Sequence, residues 1–249
     1  MCARNIHMSR GATRRLIVNS TRLEEPHVSF SQINTYLGCP LKYRFAYIEQ
    51  LPPEFVPSAL PFGGGLHEAF AEYYRNLKIS QKLSHDDLVD VFKANWDLKN
   101  QCERILFDEG EDKDSMFELA LNMLRVFYEN VQPGEPLAIE QEFTLRKCDN
   151  NGGKLLPLPL VGSIDLIERT QDGRIVCVDH KSAARKYAEN KAHDDLQLSI
   201  YTAAIARSSL VSPQDKEFHC RLDVLTKTTK PNFIRYDAAT GLKVSKFDR

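Results

Sequence analysis

GSIDLIERTQDGRIVCVDHK, residues 162–181, reads as a β-hairpin, and the rest of the chain is arranged around it. The apolar run 158–167 (LPLVGSIDLI) meets a turn signal at Gln171-Asp172-Gly173, and a second run, RIVCV, ends at Asp-His-Lys. Side chains on a strand alternate faces, so Asp179 and Lys181 are expected on one side and His180 on the other. Asp165 sits between Ile164 and Leu166, both expected to face away from it. Two carboxylates and an ammonium then converge where the apolar strands run out. Charges are costly in such a place unless they are used, and carboxylates beside a lysine suit a bound cation and an anionic substrate. This is the seed of a metal-dependent hydrolase site.

Working outward, AIEQEFTLRK (138–147) alternates with period two and reads as a further strand. Both faces of RIVCV are apolar, Ile175 and Cys177 on one and Val176 and Val178 on the other, so the sheet is expected to be covered on both sides. DDLQLSIYTAAIAR (194–207) is a helix with Leu196, Ile200, Ala203 and Ala204 toward the core, and it places Gln197 and Tyr201 on one face. EFHCRLDVLTK and NFIRYDA add two strands joined by a basic turn holding Lys227 and Lys230. Upstream, a helix capped by Ser29 or Ser31 breaks at Gly38-Cys39-Pro40 and resumes through Tyr43, Phe45 and Tyr47, aromatics expected in the core. Gly63 to Gly65 open a helix that carries His67, without the spacing of a phosphate-binding loop. Residues 84–131 read as a helical insertion, with Ser84 and Ser115 as caps.

At 249 residues and 42% hydrophobic content, the chain can build a real core. No apolar run approaches the ~18 residues of a membrane span, and no secretory h-region opens the chain. Six cysteines, Cys2, Cys39, Cys102, Cys148, Cys177 and Cys220, lie scattered without a CxxC pair and are expected as reduced thiols. Net charge is −1, but five arginines and no acid fall in the first 23 residues, and a basic stretch runs from Lys227 to Arg249. Both ends could meet phosphates.

The pieces SQINTYLGCPLKYRF, GGGLHEAF, IEQEF, GSIDL, VDHKS, QLSIY and LDVLTKTTKPNF follow one another in an order that resembles the PD-(D/E)XK nuclease superfamily, in its RecB-like exonuclease branch. The resemblance implies an α/β, restriction-endonuclease-like core: helix, three strands, helix, strand, with a mixed central sheet and the helical insertion. It implies one nuclease domain over residues 28–249 behind a basic arm at 1–27. It further implies Asp165 and Asp179 as metal ligands with the backbone carbonyl of His180, His67 as an extra ligand, and Lys181 as the residue orienting the attacking water. Gln197 and Tyr201 match a QxxxY element near the cleaved strand, Tyr201, Lys227 and Lys230 are candidate nucleic-acid contacts, and either Glu140 or Glu142 is an auxiliary acid. Mg²⁺ or Mn²⁺ is the expected cofactor. An iron–sulfur cluster is not expected, because only Cys220 lies late and no cluster spacing surrounds it.

The expected activity is metal-dependent hydrolysis of DNA from free ends, in repair, recombination, phage or CRISPR-type processing, in the cytoplasm of a bacterium or as a phage product. An organellar leader is the alternative reading of residues 1–27. Alternatives for function are a non-catalytic DNA-binding module, a subunit working with a helicase or a CRISPR or recombination partner, and a restriction-type endonuclease. No Walker motif supplies an ATP motor within the chain, and no membrane role is expected.

Overall fold

The computed structural model describes residues 26–102, 104–146, 157–208, 217–238 and 242–243. The basic arm expected at the N-terminus falls almost wholly outside them. β1 (Val28–Ser29) leads into α1 (Phe30–Gly38), α2 (Pro40–Tyr43) and a π-helical turn (Arg44–Ile48). β2 (Val56–Pro57) precedes α3 (Ala59–Lys78), α4 (His85–Cys102), β3 (Ile105–Leu106) and α5 (Lys113–Asn130). The remainder is β4 (Glu135–Leu145), β5 (Leu160–Arg169), β6 (Ile175–Ala183), α6 (Leu196–Ile205), β7 (Glu217–Thr226), β8 (Phe233–Asp237) and β9 (Leu242–Lys243). The mixed sheet expected from the sequence is present, with helices on both faces.

The topology matters most around β5. Antiparallel β4 follows one edge of β5 from Glu135↔Arg169 to Leu145↔Leu160. The other edge is shared. β6 pairs with it over Leu166–Arg169, and β1 pairs with it in parallel at Leu160 and Val161. Between these two partners, residues 162–165 face an opening. Beyond it β6 runs parallel to β7 from Ile175↔Phe218 to Ala183↔Thr226, with α6 as the crossover.

Two apolar layers flank the sheet. Ile175 and Cys177 pack with Ile200, Ala203 and Ala204 of α6, while Val176 and Val178 pack against α3, α4 and α5. The alternation expected along β6 holds. The insertion lays Leu88, Phe92, Trp96, Leu124 and Phe127 on Phe62, Leu66 and Phe70 of α3. Ser84 and Asp87 cap each other reciprocally, as the sequence suggests. Ser115, in contrast, is the third residue of its helix, and Asp112 is the cap. The short parallel β2–β3 pair was not legible: two residues per strand leave no periodicity to read.

Three expectations change. α3 starts at Ala59, before the glycines, so Gly65 is a packing residue: a Cβ there would lie 2.9 Å from the Phe92 ring. Leu196, expected in the core, is 44% exposed at the open first turn of α6. Most aromatics and aliphatics of the α1–α2 segment lie at the surface, Tyr36 54% and Phe45 42% exposed, because no described element covers them. Tyr36, Tyr43 and Tyr47 pack on one another instead, with ring centroids 5.5 and 5.3 Å apart.

Candidate active site

The site begins with a break in strand alternation. On a regular strand Ile164 and Leu166 would share a face, yet Ile164 packs in the α6 layer and Leu166 in the α3 layer. Opposite them on β4, Ile139 belongs to the α3 layer while Phe143 and Leu145 belong to the α6 layer. Both strands therefore change face together, between the pairs Ile139↔Leu166 and Gln141↔Ile164. The residues at the change are Glu140 and Asp165. Glu140 has φ of 48°, a left-handed conformation unusual for a residue with a side chain. Such strain costs on the order of 1–3 kcal/mol and persists where the surroundings enforce it.

Here β6 also leaves β5. The ladder stops at Leu166↔Val178, and the Asp165 carboxylate takes over, its Oδ2 accepting the His180 N–H at 2.8 Å. A side chain thus satisfies a backbone donor that the parting strands leave unpaired. His67, two turns into α3, brings Nδ1 to 3.4 Å from the same oxygen. One ligand atom each from His67, Glu140 and Asp165 lies within 4.8 Å of the others. Ser163 donates to Glu140 Oε2 at 3.4 Å. The structure thereby separates the two glutamates: Glu140 joins the cluster, and Glu142 does not. Strict alternation hid this, because it put both on one face.

The second half of the site is a closed ring of one ion pair and three hydrogen bonds. Lys181 Nζ forms an ion pair with Asp179 Oδ2 and donates to Gln197 Oε1, both at 2.8 Å. Gln197 Nε2 donates to the Tyr201 hydroxyl at 2.7 Å, which donates to Asp179 Oδ1 at 3.3 Å. The four-residue spacing of Gln197 and Tyr201 on α6 does what the sequence suggested, bringing both to the end of β6. Tyr201 is 3% exposed, with its hydroxyl on Asp179. His180 points to the opposite layer, against Phe70 and Tyr74.

Burial and mutual repulsion make this a site in want of positive charge. Burial first, then Asp179, pushes the Asp165 carboxyl up to about 7. Burial and then Asp165 raise Glu140, and burial raises Asp179 against the pull of Lys181. Burial would lower the Lys181 ammonium, but Asp179 outweighs it and keeps the charge in place. Burial lowers His67, which favours the neutral imidazole a metal needs. An imidazole and two carboxylates with raised proton affinity, within 4.8 Å of one another and so able to share one coordination sphere, fit a divalent cation by chemistry as well as by geometry.

The cysteines lie apart from these groups. Cys39 Sγ accepts from the Lys42 N–H at the start of α2, while Cys220 is buried beside Thr202. Both are free thiols, as is Cys177. A surface hollow of about 490 Å³, lined by Cys39, Leu41, Phe45 and Leu51, is apolar and contains neither the carboxylates of the site nor Lys181. The clustered acids and Lys181 sit instead where β5 and β6 part. No helix among the described residues is long and apolar enough to cross a membrane.

An α/β core of this topology, with acids and a lysine gathered where the central strands separate, places the chain among the nucleases as a class. The family follows from comparison: the PD-(D/E)XK nuclease superfamily matches residues 27–248, and the chain belongs to it. It is 25% identical over 205 residues to an ATP-dependent helicase/deoxyribonuclease subunit of Streptococcus agalactiae, in strains of serotypes Ia and V. That match takes in 77% of this chain but 17% of the relatives' length. A crystal structure from Eubacterium rectale, provisionally assigned as an exonuclease, superposes with a TM-score of 0.52 at 12% identity. It covers 98% of this chain and 80% of that one, a likeness of fold.

Proposed function

We propose that the chain is a divalent-metal-dependent deoxyribonuclease that hydrolyses phosphodiester bonds from DNA ends. The observation carrying this reading is the coordinated change of face in β4 and β5, which sets Glu140 and Asp165 beside His67. Those three would hold the ion, with Asp179 and the His180 carbonyl as further oxygen donors. An Mg²⁺ or Mn²⁺ ion bound there supplies charge neutralisation at the scissile phosphate and a more acidic attacking water. The imidazole ligand favours Mn²⁺ over Mg²⁺.

The chain's own residues do the rest. Lys181, aimed by Gln197 and Asp179, presents an ammonium where negative charge builds on phosphorus and on the incoming oxygen. Tyr201 keeps Asp179 from turning away. Lys227 and Lys230, in the turn after β7, are available to backbone phosphates. The experiment is digestion of 5′- and 3′-labelled linear oligonucleotides and of closed circular DNA, with Mn²⁺, with Mg²⁺ and with EDTA, for wild type and Asp179→Ala. Ladders from the ends of linear DNA in metal only, absent from the variant, are expected. Cleavage that survives EDTA or Asp179→Ala overturns the reading, and attack on closed circles moves it to an endonuclease.

A second reading is favoured by the 17% coverage of the helicase/deoxyribonuclease relatives. The same centre would then act as the nuclease part of a helicase-coupled assembly in repair or recombination. Co-purification with an ATP-dependent helicase that accelerates digestion tests it.

A further inference from the structure

Cations without acidic partners gather on one flank of the site. β6 carries Lys181 and ends at Ala183; Arg185 and Lys186 follow immediately and are exposed. β7 ends beside it at Thr226, where the Lys227 N–H donates to the Ala183 carbonyl at 2.7 Å, and the turn continues to exposed Lys230. The two basic tails are thus tied together at their roots. The segment after β6 is also held in place: the Tyr187 N–H donates to the Tyr236 hydroxyl at 3.0 Å, which donates back to the Tyr187 carbonyl at 3.2 Å. None of Arg185, Lys186, Lys227 and Lys230 has an ion-pair partner among the described residues.

The other flank differs. There the α3 cations are engaged: Arg75 by Glu68 at 2.9 Å and Glu72 at 3.2 Å, and Lys78, whose Nζ donates to the Leu137 carbonyl of β4 at 2.6 Å. Of these two sets, the cations with no protein partner among the described residues are the four on the Lys181 flank, in a chain of net charge −1. Four uncompensated cations at the ends of two rigid parallel strands suit a ligand with repeated negative charge at short spacing.

We propose that Arg185, Lys186, Lys227 and Lys230 form a one-sided phosphate track that grips consecutive phosphates of a nucleic-acid strand on the Lys181 flank only. This rests on the nuclease reading for the identity of the polymer, and it adds the direction in which the held strand leaves the site. The track acts on binding, because its residues stand beyond the groups that face the scissile phosphate.

The test uses the full chain and a labelled 20-nucleotide single-stranded DNA, with equilibrium binding in EDTA over a range of salt. Each phosphate contact removed should flatten the slope of log affinity against log salt by about 0.7. Arg185→Gln/Lys186→Gln/Lys227→Gln/Lys230→Gln is expected to lose about 2 to 3 from the slope, with KM raised at least tenfold and kcat within twofold of wild type. Single methylphosphonates walked along the oligonucleotide should weaken wild-type binding only on one side of the cleaved bond, and should leave the quadruple variant indifferent. A quadruple variant with a wild-type slope and an unchanged melting temperature overturns the track, as does equal methylphosphonate sensitivity on both sides. Wild type that binds with the predicted slope but never cleaves sinks the nuclease reading and leaves the track standing.

Discussion

The two halves of the site are built on opposite principles. Asp179, Lys181, Gln197 and Tyr201 form a closed circuit of one ion pair and three hydrogen bonds, set on a regular strand end and a regular helix. His67, Glu140 and Asp165 sit on a kink, carry a left-handed residue, and crowd carboxylates that burial already disfavours. The first half carries its own countercharge in Lys181 and positions groups. The second is complete only when something positive enters. Folding energy is held back in one half and spent on rigidity in the other.

The largest expected break comes from the crowded half. Asp165→Asn should lower cleavage by about 10³- to 10⁴-fold and abolish Mn²⁺ binding measured by calorimetry, because it removes the group both strands are bent around. Lys181→Ala should cost less, about 10²- to 10³-fold in kcat, and should leave Mn²⁺ affinity intact or improved, since Asp179 is released from its partner. Equal loss of metal binding in both variants would erase the distinction between the halves.

Stability against pH sharpens the contrast. Asp165 has a folded pKa of about 7 against 3.8 in the unfolded chain, so the folded state binds the extra proton. Its contribution is fully present below about pH 4 and is lost as pH rises through about 7. Metal-free protein should therefore melt lower at pH 8 than at pH 5.5, by on the order of 5 °C, and Mn²⁺ should restore the loss at pH 8. A melting temperature indifferent to both would show that the carboxylates are not frustrated.

Glu140→Gly separates strain from ligation. Glycine accepts the positive φ, so the variant should gain roughly 0.5–1 kcal/mol of stability while its Mn²⁺ affinity falls about tenfold. Glu140→Gln, which keeps the strain, should show only the second effect. The smallest change is expected from Tyr201→Phe, which removes one 3.3 Å hydrogen bond to Asp179. A rate loss under about tenfold, with no change in metal affinity, fits a positioning role.

The difference also explains what could be read from the sequence. The satisfied half was legible: Asp179 and Lys181 follow from period two, and Gln197 and Tyr201 from a four-residue helical step. The kinked half was not legible from local pattern, because periodicity assumes the regularity that Glu140 and Asp165 break. The strand pattern brings Asp165 to the site but puts Ile164 and Leu166 on one shared face, which the structure splits between two layers, and it does not tell Glu140 from Glu142. A polar residue where alternating strands both lose phase is the signal that would have found it. The exposed aromatics near Tyr36 were misplaced for another reason: amphipathic spacing says which residues share a side, not whether anything covers it.

Behind the site, Arg221 lies buried between Glu168 at 2.9 Å and Asp223 at 2.6 Å, and Glu168 also accepts the Gly134 N–H at 2.8 Å. This knot ties the start of β4, the end of β5 and the middle of β7, with Glu168 and Arg221 themselves 53 residues apart in the chain. During synthesis β4, β5 and β6 emerge before Arg221 exists, and Glu168 has no countercharge until β7 follows. The acidic half of the centre is therefore synthesised before its lock, so a nascent chain acquires this geometry only once β7 has emerged.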